Sequence, residues 1–453
     1  MLTQITDHNP AHAPVSGLAS SGFTGEDRPR WEEYSRCVHC GLCTNYCPTY
    51  RELGVEMDSP RGRIYQMVAV DEGRMTIGES FVRHIDLCLD CRACETACPS
   101  GVEYGKLVEA ARTQIELNYR RPWRQRLLRR LAFHHLFPHP TRLRIAGRLL
   151  YWYQASGLQE MVRRSKLLGE GTRLADLDSL SPNSESPDFF SQIGKTFPAH
   201  GPRRYRVAFH SGCIANFAFA RLQEATIRVL QRNGCEVVVP AGQICCGALH
   251  VHAGVREKAR ELARRNIEAF EAGAFDAHLT NAAGCGSTLK EYGELLHGDA
   301  AWARRAAAFS AKMKDVTEFL AEVGLTQPLS PVSATVTYQD SCHLLHGQKV
   351  KQAPRSLLAS IPGLQFVELP HADLCCGSAG IYNVLETELS LRLLEDKMQY
   401  ANSTSAEIIA TANPGCLLQM RAGVARHGHG QEVVHVMELL DRASADSASS
   451  AVR

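Results

Sequence analysis

From Tyr205 onward, short apolar runs alternate with longer stretches in which apolar residues recur every three or four positions. The pattern predicts a strand over 205–210, a helix over 216–232 that stops at Gly234, and a strand over 235–239. A helix over 255–272, a strand over 277–281 and a helix from Gly286 follow. The order then starts again: strand 334–339, helix 354–361, strand 365–369, helix 386–402, strand 407–412, helix 416–426. Strands that alternate with helices build parallel sheets, and ligands collect beyond the carboxyl ends of such strands.

Before Tyr205 the pattern differs. Residues 1–30 are polar and rich in Pro, Gly and Ser, which predicts a mobile tail. Residues 31–117 contain helical pieces, among them an amphipathic run from Arg61 to Asp71, and residues 118–170 read as basic helix. Residues 171–204 read as a surface linker from their Ser, Pro and Asp content. Two modules, 205–325 and 334–441, complete the expected domains, and the Ala- and Ser-rich residues 442–453 are expected to fray.

Composition changes the picture at one residue type. With 44% hydrophobic and 22% charged residues among 453, the chain has ample material for a core. A net charge of +2 gives no overall case for nucleic acid. No stretch approaches the ~20 apolar residues that span a bilayer. The first thirty residues carry Asp7, Glu26 and Asp27 and no apolar run, so a cytoplasmic location is expected. Cysteine, at 17 residues, is the outlier, and in a reducing compartment that number points to metal or redox chemistry.

The cysteines fall in three blocks. The second (Cys213, Cys235, Cys245, Cys246, Cys285) and third (Cys342, Cys375, Cys376, Cys416) form an internal repeat: Cys342, Cys375 and Cys416 follow Cys213, Cys245 and Cys285 by 129, 130 and 131 positions. HSGC (210–213) answers DSCH (340–343), ICCGA (244–248) answers LCCGS (374–378), and TNAAGC (280–285) answers TANPGC (411–416). Cys235 has no counterpart and reads as a small buried apolar residue. Gly247 and Gly377 supply backbone angles that let adjacent cysteines face one metal. Four thiols per module suit a [4Fe–4S] cluster or zinc, and a cysteine-lined cleft that holds no metal stays open. His250, His343 and His371, close by in sequence, read as surface or hydrogen-bonding residues.

The first block is C-x2-C-x2-C-x3-C-P twice, at Cys37–Pro48 and Cys88–Pro99. This is the spacing of two-cluster [4Fe–4S] domains, in which the fourth cysteine of each run crosses to the other cluster. Cys37, Cys40, Cys43 and Cys98 are therefore assigned to one cluster, and Cys88, Cys91, Cys94 and Cys47 to the second. Structural zinc would more often use two C-x2-C pairs.

RCVHCGLCTNYCPTY (36–50), SPRGRIYQM (59–67), CRACETACPSGVEYGKLVE (91–109), DSCHLLHGQ (340–348), CCGSAGIYN (375–383) and ANPGCLLQ (412–419) carry a resemblance over about residues 31–440. The chain resembles the glycolate oxidase iron–sulfur subunit family, related to lactate-oxidising and anaerobic glycerol-3-phosphate dehydrogenase iron–sulfur subunits. The resemblance implies a mixed fold: an N-terminal α-helical two-cluster ferredoxin domain followed by two repeated α/β Cys-Cys-Gly modules. It implies two [4Fe–4S] clusters, with one or two further metal centres open in the modules, and electron relay from a flavin subunit towards quinone. No G-x-G-x-x-G follows a strand, so FAD is expected on partner 2-hydroxy acid dehydrogenase subunits only, and no catalytic residue or turnover by the chain alone. The alternatives are a disulfide-reductase-like catalytic subunit, or a D-lactate or glycerol-3-phosphate dehydrogenase iron–sulfur subunit. In heterodisulfide reductase relatives each module ends in C-x2-C. Here Thr288 and Gln419 stand where that fifth cysteine would be, which argues against disulfide chemistry.

Residues 118–164 carry eleven arginines and one acid, Glu160, interleaved with Trp123, Leu127, Leu128, Leu131, Leu149 and Trp152. Such helices suit an anionic membrane surface on the inner face or a partner subunit, with the rest of the chain acidic.

Overall fold

The computed structural model describes residues 22–165 and 172–444. The two halves of the repeat form two sheets. In the first, β1 (Thr196–Phe197), β2 (Tyr205–Phe209), β3 (Cys235–Val238), β4 (Ala277–Thr280) and β5 (Met313–Asp315) lie in the order β1-β3-β2-β4-β5. The second contains β6 (Ala334–Tyr338), β7 (Leu364–Val367), β8 (Ile408–Thr411) and β9 (Glu432–His435) in the order β7-β6-β8-β9. All pairings are parallel except β1 with β3. Registers repeat as well: Val207 pairs with Val237 and Ala277, and Val336 with Phe366 and Ile408.

One continuous core runs through both modules, from Val207, Val237 and Leu279 to Val336, Ile409 and Val434. Helix Ala220–Arg232 of the first module packs on Val436–Ser444 of the second, and Val316–Val323 packs on Gln352–Ala359. These are the same contact seen from each copy, so the repeats face one another about an approximate twofold. Arg228 and Arg232 both pair with Asp441 across the first of them, at 2.7 and 2.8 Å.

Several boundaries differ from the sequence pattern, for nonlocal reasons. The expected tail at 1–30 is docked where it is described: Phe23 is buried beside Phe81, Thr24 bonds Gln114, and Asp27 pairs with Arg256 and Arg260; residues 1–21 lie outside the described residues. Helix Pro60–Asp71 is not amphipathic, because Arg63, Ile64, Gln66, Met67 and Val70 are buried on several sides of it. Within the expected linker, helix Arg173–Ser179 forms with Thr172 as its cap, and β1 joins the first sheet. Helix Val436–Ser444 runs past the expected frayed boundary at 442, while residues 445–453 lie outside the described residues. The pattern also predicts three strands per module; β5 and β9 are fourth strands, three and four residues long.

Candidate metal centres

Every module cysteine of the repeat lies beyond the carboxyl end of a parallel strand. Cys213 follows β2, the 245–246 pair follows β3 and Cys285 follows β4; Cys342, Cys375–Cys376 and Cys416 follow β6, β7 and β8. In each module the four thiols touch in series: Cys213–Cys245–Cys246–Cys285, and Cys342–Cys375–Cys376–Cys416. The turns require glycine, with φ of 86° at Gly247 and 88° at Gly377, and a Cβ on Gly377 would meet Ser390 O at 2.5 Å. Cys235 is fully buried in the main core, apart from either set.

Adjacent thiols and burial favour the protonated form of Cys213, Cys245, Cys246, Cys342, Cys375, Cys376 and Cys416; contact with Cys375, reinforced by burial, brings Cys376 up to about 12. Ionising four thiols in so dry a place requires a cation among them, and a metal is what such a donor set accepts. The residues therefore fit a four-thiolate centre. At the fifth-cysteine positions Thr288 is buried, and Gln419 donates to Ser390 Oγ at 2.9 Å and accepts from Asn383 at 3.2 Å. Neither offers a sulfur.

The first cysteine block splits in two. Cys47, Cys88, Cys91 and Cys94 are buried and line one cavity together with Arg63, Arg92 and Tyr104. Cys37 feels Cys98 and Cys40 electrostatically, and Cys43 feels Cys37; Cys40 is exposed and the other three half-buried. The arrangement brings together the crossed sets expected from the spacing, one near the surface and one inside. Burial pushes Cys91 and Cys94 well up, and Cys43 up to about 11, so these sets too fit a metal better than free thiolates.

The buried set abuts the second module. Leu89, Cys91 and Ala93 form one apolar cluster with Cys375, Tyr382, Leu389 and Leu393, with Cys342 at its edge. Tyr382 Oη donates to Leu87 O at 3.1 Å. The electrostatics of Cys91 respond to Cys375, and those of Cys342 to Cys91.

Three buried cations were not among the residues singled out by spacing. Arg63, fully buried, donates to His84 O at 2.6 Å and Thr49 Oγ1 at 3.0 Å, with Cys47 Sγ 4.0 Å away. Lys397, 2% exposed, donates to His371 O at 2.7 Å, and burial pushes its ammonium down to about 8. Arg92 pairs with Glu109 at 3.0 Å and with Glu291, joining the N-terminal domain to the first module. The signal available in the sequence was a basic residue flanked at helical spacing by apolar ones, as in Arg63 before Ile64 and Met67.

Beside Arg92, His252 Nδ1 lies 3.0 Å from Asp90 and 3.1 Å from Glu109. Burial alone would lower His252, but the two carboxylates outweigh it and raise it to about 9. Burial opposes ionisation of Glu109 as well, yet Arg92 and His252 hold it well below the usual carboxylate range. Asp90, Glu109 and His252 converge with the spacing of a ligand set, but Arg92 and His252 supply positive charge to the two carboxylates, and the trio is an ion-pair network. Of the sequence-flagged histidines, His250 bonds Phe133 O at 2.8 Å, His371 packs on Tyr400, and His343 stacks on His252.

The basic helices sit on the first module through buried Phe133, Leu143 and Gly147. Arg121, Arg129, Arg144, Arg148 and Arg163 are paired with Asp86, Glu116, Asp188 or Asp178, so these arginines are not simply solvated. Trp123, Leu127 and Leu131 form one exposed stripe, and Ile145, Leu149 and Trp152 another, with both tryptophans 68% exposed. No helix among the described residues is long and apolar enough to cross a membrane.

Comparison with known proteins follows these divisions. A 4Fe-4S dicluster domain model matches residues 33–102, a model of the linker region of the glycolate oxidase iron–sulfur subunit matches 124–181, and a cysteine-rich domain model matches 207–290 and 336–421. The linker match thus covers the basic helices and stops before most of the segment read as linker from composition. The probable glycolate oxidase iron–sulfur subunit of Bacillus subtilis is 45% identical over 423 residues, covering 92% of this chain and 95% of that one. The glycolate oxidase iron–sulfur subunit of Escherichia coli is 36% identical over 407 residues, covering 88% and 92%. Lactate utilization protein A of Oceanobacillus iheyensis is 33% identical over 237 residues, 52% of this chain and 96% of its own length. With thiol sets, repeat and full-length similarity in agreement, the chain belongs to the glycolate oxidase iron–sulfur subunit family.

Proposed function

We propose that this chain is the electron-transfer subunit of a glycolate, or closely related 2-hydroxy acid, oxidase complex, taking electrons from a flavin-bearing subunit and passing them towards quinone. The observation that carries the reading is the near full-length similarity to two glycolate oxidase iron–sulfur subunits together with two crossed four-thiol sets, one at the surface and one buried. Cys37, Cys40, Cys43 and Cys98 would hold one cluster, and Cys47, Cys88, Cys91 and Cys94 the other. The clusters supply one-electron carriers whose potentials follow ligation, nearby charge and burial. The chain's own residues keep water from the inner thiols, and Arg63 and Arg92 set positive charge beside them. The exposed set faces the donor, and the buried set faces the second module.

The isolated chain, reconstituted with iron and sulfide, is expected to turn over no glycolate. Adding the flavin-bearing partner and glycolate should bleach its cluster absorbance within the mixing experiment. Turnover by the pure chain, or a spectrum unmoved by partner and substrate, would refute the relay.

On the acceptor side, the two apolar stripes, Arg124 stacked on the Trp123 ring, and Arg120, Arg126 and Arg130, which form no ion pair with the described residues, support peripheral binding to an anionic bilayer. Vesicles containing phosphatidylglycerol should sediment the chain, and pure phosphatidylcholine vesicles should not. Trp123→Ala with Trp152→Ala should weaken binding about tenfold or more, the loss of roughly one buried large apolar side chain. Equal binding to both vesicle types would refute a role for the arginines, and binding to neither would assign this face to a protein partner instead.

A further inference from the structure

The two modules repeat in fold and in thiols but differ in what stands behind the thiols. In the first, neutral groups hold the Cys-Cys turn. Asn266 accepts from Ile244 N at 2.9 Å and donates to Cys245 O at 3.0 Å, and Tyr292 Oη donates to Cys246 O at 2.7 Å. His210, held neutral by burial, bonds Ile244 O at 3.1 Å. In the second, Lys397 reaches from helix Thr387–Ser403 to the carbonyls of His371 and Ala372, just ahead of Cys375. It lines a small cavity with Cys375 and with Pro48, the residue after Cys47.

An ammonium whose hydrogen bonds go only to carbonyls is costly to bury, because neutral acceptors replace only part of its hydration; Asp373 and Asp340 act on it electrostatically, and Glu52 and Asp396 line its cavity, but no carboxylate among the described residues lies within ion-pair distance of it. It needs a negative partner. A divalent zinc or a [4Fe–4S]2+ core held by four thiolates carries a net charge of −2; of the groups acting on Lys397, Cys376 and Cys375 come ahead of the carboxylates, Cys375 lines its cavity, and both belong to the set Cys342, Cys375, Cys376 and Cys416. In the N-terminal domain a buried cation also stands behind a cysteine, Arg63 behind Cys47, but there Asp58 lies 3.6 Å from the guanidinium.

We propose that Lys397 is the fixed counter-charge of an anionic four-thiolate metal centre in the second module, a positioning residue with no equivalent in the first. This rests on the reading of the modules as metal sites, which is tested alongside. Lys397 gives up no proton and forms no bond to the metal; its charge favours thiolates over thiols and so favours retention of the metal.

The full chain is purified anaerobically as the parent, as Lys397→Gln, Lys397→Met and Cys376→Ser, and iron, sulfide and zinc are followed during challenge with a chelator. Gln keeps a hydrogen-bond donor for the His371 carbonyl and removes only the charge. Both Lys397 variants are expected to lose the module metal about ten- to a hundredfold faster than the parent, the range for groups behind a ligand shell, while the iron of residues 33–102 stays. If Lys397→Gln holds its metal as the parent does, the residue is only a carbonyl cap and the proposal falls. Loss of N-terminal iron together with module metal also overturns it, since the residue would then serve the fold at large. Should Cys376→Ser leave the metal content unchanged, the reading of this module as a metal site fails, and the proposal with it.

Discussion

Cys47→Ala combined with Cys88→Ala is expected to remove about four irons relative to the parent, whereas Cys47→Ala combined with Cys37→Ala removes about eight, two four-iron clusters. Proximity along the chain alone would suggest the reverse, since Cys37 and Cys47 share one run and Cys88 lies 41 residues after Cys47, but the repeated C-x2-C-x2-C-x3-C-P spacing already assigns Cys47 to the far set. The fold places Cys47 accordingly. Cys47 lines the cavity of Cys88, Cys91 and Cys94, and its Sγ lies within reach of Thr49 Oγ1 and of the Arg63 guanidinium behind that cavity. Pro48 starts helix Pro48–Leu53, so the chain turns away directly after the fourth cysteine and cannot return it to its own run. Losing both ligands of one set leaves the other four thiols untouched, and losing one from each leaves neither set complete. Either double variant should abolish electron transfer through the chain. Iron and acid-labile sulfide measured together separate clusters from zinc, and about eight irons lost from the Cys47 and Cys88 pair would disprove the crossed assignment.

The thiols were legible because their spacing is local: three cysteines within seven residues, or two adjacent ones, must serve one site whatever surrounds them. The repeat and its alternating strands were legible for a similar reason, since β2, β4, β6 and β8 are short apolar runs flanked by strong helices. What stayed hidden is what depends on partners far away in sequence. Met313–Asp315 becomes a strand only because β4 lies beside it, and Phe23 is buried only because Phe81 waits 58 residues on. Arg63 and Lys397 look like ordinary surface charges until the fold closes over them. The relation between the centres was hidden most deeply. Nothing in the run around Cys91 foretells its apolar cluster with Cys375, which places the second module against the buried N-terminal set, the first module reaching that set through Arg92, Arg112 and their partners.

Arg92→Met is expected to cost about 3–5 kcal/mol, the loss seen when one partner of a buried charge network is removed. Arg92 is the cation common to Glu109, Glu291 and, at 3.8 Å, Asp90, and its removal leaves buried carboxylates facing one another at the junction of the N-terminal domain with the first module. Arg112 helps from the other side, donating to His252 O at 3.0 Å and to Cys88 O, but it reaches Asp90 only at 4.0 Å. The remaining charge must come from His252, whose folded value of about 9 lies above its ordinary 6.5. A raised histidine stabilises fully below its unfolded value and loses that contribution as pH climbs through the folded one. Urea midpoints of the metal-loaded parent should therefore hold up to about pH 6.5 and decline towards pH 9, by a few kcal/mol at most. His252→Gln should flatten that decline, and Arg92→Met should lower the midpoint at every pH and leave a decline at least as large, since the carboxylates then lean on His252 still more. Stability that rises between pH 6.5 and 9, or an Arg92→Met chain as stable as the parent, would mean the junction is held by the apolar contacts of the second module alone.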